Sequence, residues 1–187
     1  IKDVDFIVHL AALVGEPVCR RDPKLCYELN RDATKQINEL RSSGQPIIFS
    51  STGSVYGKIE GICTEEVPLN PVSDYGISKV EAEKYIKEKG EYIIYRFATA
   101  FGLSPRLRLD LMINDFVHRA IQDKSIIVYE ANFKRTFIHV RDMARSFIHA
   151  IENYDNMKNN VYNVGDESLN FTKEDIARKI KERVDYH

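Results

Sequence analysis

Apolar residues arrive in short, nearly unbroken runs, separated by stretches in which they recur every three or four positions. Asp5 to Ala12 (DFIVHLAA), Pro46 to Ser51 (PIIFSS), Tyr92 to Phe97 (YIIYRF) and Val161 to Val164 (VYNV) have the length and continuity of strands buried on both faces. Leu25, Leu29, Ala33, Ile37 and Leu40 fall on one helical face and predict a helix over Pro23 to Ser42. An Asn-Pro turn at Asn70-Pro71 precedes a second predicted helix, Ser73 to Lys89. Strands alternating with helices predict an α/β fold, a parallel sheet wrapped by helices.

The pattern changes after Gly102. A helix is predicted over Leu109 to Ile121, then short strands at Ile126 to Tyr129 and Thr136 to Ile138. Amphipathic helices follow at Arg141 to Tyr154 and Thr172 to Val184, the latter with Thr172 as N-cap and Asp175 three residues on as an imperfect capping box. This part reads as a smaller second lobe.

Composition narrows the function classes. The 187 residues are 43% hydrophobic and carry 27 basic against 28 acidic side chains, a formal charge of -1. Such a chain buries a substantial core and has no broad electrostatic pull toward nucleic acid or an anionic membrane. No apolar run approaches the roughly 20 residues of a spanning helix, which predicts a soluble protein. Cys19, Cys26 and Cys63 are odd in number and lack metal-ligand spacing, so neither a disulfide framework nor a metal site is expected, and the cytoplasm is the expected compartment. The chain opens on Ile1 and runs almost at once into an apolar strand, which predicts that residues precede it.

Candidate chemistry centres on Tyr75 and Lys79, a Tyr-x-x-x-Lys pair whose spacing puts both side chains on one helix face. A phenol is a poor base at neutral pH, and lowering its pKa by about 3 units takes roughly 4 kcal/mol of preferential phenolate stabilisation. A neighbouring ammonium is a source of it. Spacing alone decides little, because Tyr85/Lys89 and Tyr154/Lys158 share it, and a solvated helix face is the usual meaning of such a pair. Context separates the first pair. Upstream, a strand ends in Ser50-Ser51-Thr52-Gly53-Ser54, setting hydroxyls where the strand's carboxyl end meets a ligand crevice, and Thr52 could bond the oxygen that Tyr75 deprotonates.

With these segments in view the sequence resembles the extended short-chain dehydrogenases/reductases, in their sugar-nucleotide epimerase/dehydratase branch. His9-Leu10-Ala11-Ala12 is similar to the family's fourth-strand motif, and Asn30 with Ala33-Thr34 to the helix after it. Thr52 to Gly57 matches the active-site Ser/Thr segment and Tyr75 to Lys79 the catalytic helix. Arg96-Phe97-Ala98-Thr99 resembles the strand end beside the nicotinamide, with Thr99 where Asn is usual. Arg135 to Asp142 and Tyr162 to Gly165 match two late motifs.

The resemblance implies a partial doubly wound, Rossmann-type parallel sheet lacking its N-terminal strands. Residues 1–103 with 140–165 would be the C-terminal part of the dinucleotide-binding domain, and residues 104–139 with 166–187 the substrate-binding lobe. It implies a catalytic set of Thr52, Tyr75 and Lys79. Cofactor contacts would come from Leu10, Ala11, Ala12, Asn30, Ser50, Ser51, Tyr75, Lys79, Phe97 and Ala98. Substrate contacts would come from Thr52, Thr99, Leu111, Met112, Tyr129 and Arg135, whose guanidinium offers paired donors to a diphosphate. For Arg135 an exposed charge beside Lys134 is the plain alternative, and for Tyr129 and the Leu111 to Asn114 segment it is core packing. His139 reads as a structural strand residue.

The implied function is an NAD-dependent sugar-nucleotide epimerase acting at C4 through a keto-sugar, with NADP as the other possible cofactor and a homodimer formed through the 23–42 and 73–89 helices. Rivals are a 4-keto-reductase, a 4,6-dehydratase and, from another class, a non-catalytic nucleotide sensor or scaffold. Gly53-Ser54 stands where the dehydratases carry Asp-Glu, which disfavours elimination. No glycine-rich G-x-x-G-x-x-G or G-x-G-x-x-G turn occurs, so the pyrophosphate site is absent from these residues and the chain alone is expected to be inactive.

Overall fold

A computed structural model describes residue 1, residues 3–59 and residues 61–187. In chain order the first elements are β1 (Ile7–His9), α1 (Glu16–Arg21), α2 (Pro23–Tyr27), α3 (Ala33–Leu40), β2 (Ile47–Thr52), α4 (Asp74–Lys89) and β3 (Tyr92–Phe97). Then come β4 (Thr99–Phe101), α5 (Met112–Gln122), β5 (Lys134–His139), α6 (Val140–Glu152), α7 (Tyr154–Met157), β6 (Asn160–Val164), β7 (Asp166–Thr172) and α8 (Lys173–Lys181). The chain divides into two compact units, Ile1–Phe97 with Ser146–Asn163, and Ala98–Arg145 with Val164–His187.

The first unit carries a four-stranded sheet in the order β1-β2-β3-β6. β2 runs parallel to β1 and to β3, in register from Ile47↔Tyr92 to Thr52↔Phe97. Ile47, Ile48 and Phe49 are all fully buried, which is why the β2 run is apolar on both faces. Ile47, Phe49 and Ile94 pack against Ala82 and Ile86 of α4. Ser73 caps α4, its hydroxyl accepting from the Gly76 N–H at 3.2 Å, and Gly90 ends it with φ +74°. At the other end of the sheet the buried Arg41 guanidinium donates to the carbonyls of Gln45 and Gly90, both at 2.5 Å.

The second unit holds a three-stranded sheet, β4-β5-β7, with β4 parallel and β7 antiparallel to β5 and an irregularity between Thr136 and Phe137. Phe137 is buried among Phe116 and Ala120 of α5, Ile176 and Ile180 of α8, and Tyr186. α8 begins with a reciprocal capping box, Thr172 accepting from the Asp175 N–H while the Asp175 carboxylate accepts from Thr172.

Several expectations need correction. The strand expected over Asp5 to Ala12 is only Ile7–His9; the chain leaves the ladder there, and the backbone of Leu13 bonds the Asn30 side chain instead. The Pro23 to Ser42 helix is interrupted by a π-turn over Glu28–Asp32 and stops at Leu40. Ile126 to Tyr129 is not a strand: Ile126 and Val128 pack against the second core while the Ile126 N–H bonds the carbonyl of His187. The apolar alternation there reports core contact rather than sheet pairing. α1, β4 and β7 were not anticipated; the first and second are short, and Asp166–Thr172 is largely polar because most of it is exposed.

Phe137→Ala empties the centre of the second core. It is expected to cost that unit about 3–5 kcal/mol, read as a lowered denaturation midpoint in urea.

Candidate active site

In the first unit β1, β2 and β3 are parallel, so their carboxyl ends share one edge, the place where an open α/β sheet binds ligands. Thr52 closes β2 at that edge. Its hydroxyl caps a 3-10 turn over Gly53–Tyr56, accepting from the Ser54 N–H at 3.2 Å and donating to Ser54 Oγ at 3.3 Å. The start of α4 lies directly against this turn. A Cβ on Gly76 would fall 2.8 Å from the Ser54 carbonyl oxygen and 2.9 Å from Pro71 Cβ, so only glycine permits the approach.

Tyr75 and Lys79 sit one turn apart on α4, and both are buried. Tyr75 packs with Cys19, Cys26 and Leu13, and its carbonyl accepts from Ser78 Oγ at 2.9 Å. Lys79 is 3% exposed. Its ammonium donates to the Ser50 carbonyl at 2.9 Å and stands 4.6 Å from the Phe49 ring centroid. Burial lowers its pKa to about 8, and the Glu83 carboxylate works in the opposite direction.

Behind this pair the sequence is committed to holding backbone. The π-turn carries Asn30, whose amide clamps Leu13, accepting from its N–H at 2.7 Å and donating to its carbonyl at 2.9 Å. The same amide donates to Ser78 Oγ at 3.2 Å. Thr34 Oγ1 donates to the Asn30 carbonyl at 2.7 Å, so the 2.9 Å contact between His9 Nε2 and that hydroxyl places the proton on Nε2 of a neutral ring. Burial, with the Lys79 charge second, lowers the His9 pKa to about 4.

The other predicted residues divide by unit. At the end of β1, Leu10 is 55% exposed, Ala11 is exposed and Ala12 half-buried. Asn30 is buried and reaches that segment only through Leu13. Ser50 offers its carbonyl to Lys79; Ser51 is buried and donates to Glu83 at 2.6 Å. Phe97 packs on Tyr95 and Phe147. In the second unit, the Ala98 N–H bonds the Val164 carbonyl and Thr99 begins β4. Leu111 and Met112 are the N-cap and first residue of α5 and half-buried. Tyr129 is 75% exposed and its carbonyl accepts from Lys173 Nζ. Arg135 is exposed, its guanidinium 5.1 Å from the Phe133 ring centroid. His139 ends β5, its Nδ1 accepting from the Arg141 N–H and its ring packed on Phe101.

These placements fit the nicotinamide half of a dinucleotide. An ammonium has three N–H groups, and Lys79 gives one to the Ser50 carbonyl at the end of β2. The small, exposed Ala11 beside Leu10 leaves an apolar lip at the sheet edge. Sequence reasoning missed Gly76 and Glu83. The signal for the second was present: an acid four residues beyond Lys79 and eight beyond Tyr75 lies on the same helix face. Among the described residues no group of His, Cys, Asp and Glu could hold a metal ion, and no helix is long and apolar enough to cross a membrane.

A parallel sheet with a turn-capping threonine at its carboxyl edge and a buried Tyr-x-x-x-Lys pair on the adjoining helix is a Rossmann-type arrangement. The chain belongs to the NAD dependent epimerase/dehydratase family, whose description matches residues 1–165. It is 30% identical over 175 residues to a Methanocaldococcus jannaschii protein provisionally named UDP-glucose 4-epimerase, covering 88% of this chain and 56% of that one. It is 31% identical over 195 residues to the Escherichia coli dTDP-4-dehydro-6-deoxyglucose reductase, covering 97% and 61%. Among solved structures, the Bacillus cereus UDP-glucuronic acid 4-epimerase in complex with UDP-glucuronic acid and NAD superposes with a TM-score of 0.85 at 27% identity, covering 96% and 59%. The chain thus spans about three-fifths of the length of these proteins.

The neutral His9 predicts an acid-sensitive step. The unfolded ring binds a proton near pH 6.5 and the folded one only near about 4. Its contribution is therefore complete above pH 6.5 and is lost as pH falls through that window, by at most about 3 kcal/mol. Chemical denaturation between pH 7 and pH 4 measures the slope, and His9→Gln is expected to flatten it.

Proposed function

We propose that this chain carries the sugar-oxidising machinery of a sugar-nucleotide 4-epimerase that uses NAD, with Tyr75 as base. The observation that carries the reading is the buried Lys79 ammonium, one helical turn from Tyr75 and bonded to the β2 strand end that Thr52 terminates. In a site shielded from water a positive charge favours a neighbouring phenolate far more than it would in bulk solvent. Tyr75 then accepts the proton of the sugar's C4 hydroxyl. The Thr52 hydroxyl, which now donates to Ser54 Oγ, turns to hydrogen-bond the same sugar oxygen. The Lys79 ammonium would also hold ribose hydroxyls. NAD, when bound, supplies the hydride acceptor. Tyr75 would give the proton back to the C4 oxygen when the keto-sugar is reduced again, so the phenol ends each cycle as it began.

Family membership and the NAD found in the Bacillus cereus relative support the cofactor, and the UDP-sugar in that relative supports the substrate class. UDP-glucose and UDP-glucuronic acid are the first substrates to test. Arg135, Tyr129, Thr99, Leu111 and Met112 are proposed for the nucleotide and sugar. The 187 residues contain no glycine-rich phosphate turn, so we expect no turnover from them alone. The three free thiols suit the cytoplasm. The exposed Leu25 of α2 and Leu29 of the π-turn suit a homodimer.

A reductase reading draws on the Escherichia coli relative, aligned over 97% of the chain. Cofactor stoichiometry separates the two: an epimerase turns over many sugars per NAD, whereas a reductase consumes one reduced cofactor per product. In an NAD-loaded protein that joins these residues to a glycine-rich cofactor turn, Tyr75→Phe and Lys79→Met are each expected to lower kcat by at least about 10²-fold, measured by product formation. Full turnover by Tyr75→Phe would remove the phenol from the mechanism.

A further inference from the structure

Glu83 lies on α4 one turn beyond Lys79 and two turns beyond Tyr75, and is 1% exposed. Its carboxylate is saturated with donors. Oε1 accepts from Ser51 Oγ at 2.6 Å and Arg96 Nε at 3.1 Å, and Oε2 accepts from a terminal Arg96 nitrogen at 2.7 Å. The other terminal nitrogen of Arg96 donates to the Tyr56 hydroxyl at 2.8 Å, which donates on to Asn163 Oδ1 at 2.7 Å. One buried network thereby joins α4 to the residue before Thr52 on β2, the residue before Phe97 on β3, the turn after Thr52, and β6.

A paired Arg–Glu network in a core is no stability gain over well-packed apolar side chains, so its retention beneath a site invites another explanation. Lys79 and Glu83 grip neighbouring residues of β2, one through the Ser50 carbonyl and the other through the Ser51 hydroxyl. Moving either shifts Thr52 relative to Tyr75.

We propose that Glu83 is a positioning residue of the site. Its carboxylate locks the Thr52 strand end against the tyrosine helix and supplies the buried negative charge that keeps the Lys79 ammonium ionised. This rests on the reading of Tyr75 and Lys79 given above, but its consequence is visible without cofactor or substrate. The titratable groups facing Lys79 are Glu83 from its own helix, His9 from β1, and the thiols of Cys19 and Cys26 from α1 and α2. The His9 ring is neutral at pH 7 and the Cys19 thiol is pushed up to about 12, leaving the carboxylate as the anion. Arg96 and Lys87 both pair with Glu83, at 2.7 and 3.6 Å, and the Glu83 charge raises the Lys79 pKa against the effect of burial.

The experiment is a titration of the 187-residue chain with ¹³C-labelled lysine, the Lys79 ε-carbon assigned by its disappearance in Lys79→Arg. In the unsubstituted chain the midpoint is expected near about 8. Glu83→Gln keeps shape and hydrogen-bonding capacity but removes the charge, and is expected to lower the midpoint by about one pH unit or more. Since Gln leaves Arg96 buried without an anion, the double variant Glu83→Leu/Arg96→Leu removes both charges and is expected to show the same direction of shift. An unchanged midpoint in either folded variant overturns the proposal. So does failure of both to fold, because the network would then be a structural brace only. A lysine that shifts as expected, while a protein joining these residues to a glycine-rich cofactor turn binds NAD but fails to epimerise, would sink the proposed function and leave this inference standing.

Discussion

An ammonium removed from water is the constraint around which the first unit is arranged. Burying an ion costs on the order of several kcal/mol unless donors and counter-charge are supplied, and the folded chain supplies the Ser50 carbonyl, the Phe49 ring face and the nearby Glu83 carboxylate. Each is delivered by a strand or helix rather than a loop. The charge is therefore held in one place, as an electrostatic device for stabilising a developing anion requires.

α4 shows how much one helix is asked to do. Gly76 lets its first turn meet the Thr52 turn, Ser78 ties it to Asn30 at the π-turn, Lys79 grips β2, and Glu83 joins both strand ends. These residues face buried partners of several kinds, so the helix lacks the simple apolar stripe of a surface helix. The Asn30 clamp on Leu13 continues the same logic beyond the sheet: a polar side chain holds backbone past the point where β1 stops after His9, with Leu10 and Ala11 exposed between them.

Much of this was legible in the sequence. Continuous apolar runs gave β2 and β3 to within a residue, because both are buried on both faces. The Tyr75 and Lys79 spacing became meaningful only beside the hydroxyl-rich strand end that precedes it. What stayed hidden has a common cause. Leu25, Leu29 and Ala33 keep a four-residue step across the π-turn, so nothing in their spacing marks it. Ile126 and Val128 alternate as a strand would, but face a core instead of a ladder. The Ser51–Glu83–Arg96–Tyr56 chain is built from residues 13 to 40 positions apart in sequence, each of which reads as an ordinary polar residue by itself.

The central claim is that the Lys79 charge makes Tyr75 a usable base. The most direct measurement is the acid limb of kcat/KM against pH for an NAD-loaded protein that joins these residues to a glycine-rich cofactor turn, compared with Lys79→Met. The account requires that limb to move to higher pH when the ammonium is removed; a limb that keeps its position in a folded, NAD-binding Lys79→Met protein would contradict it.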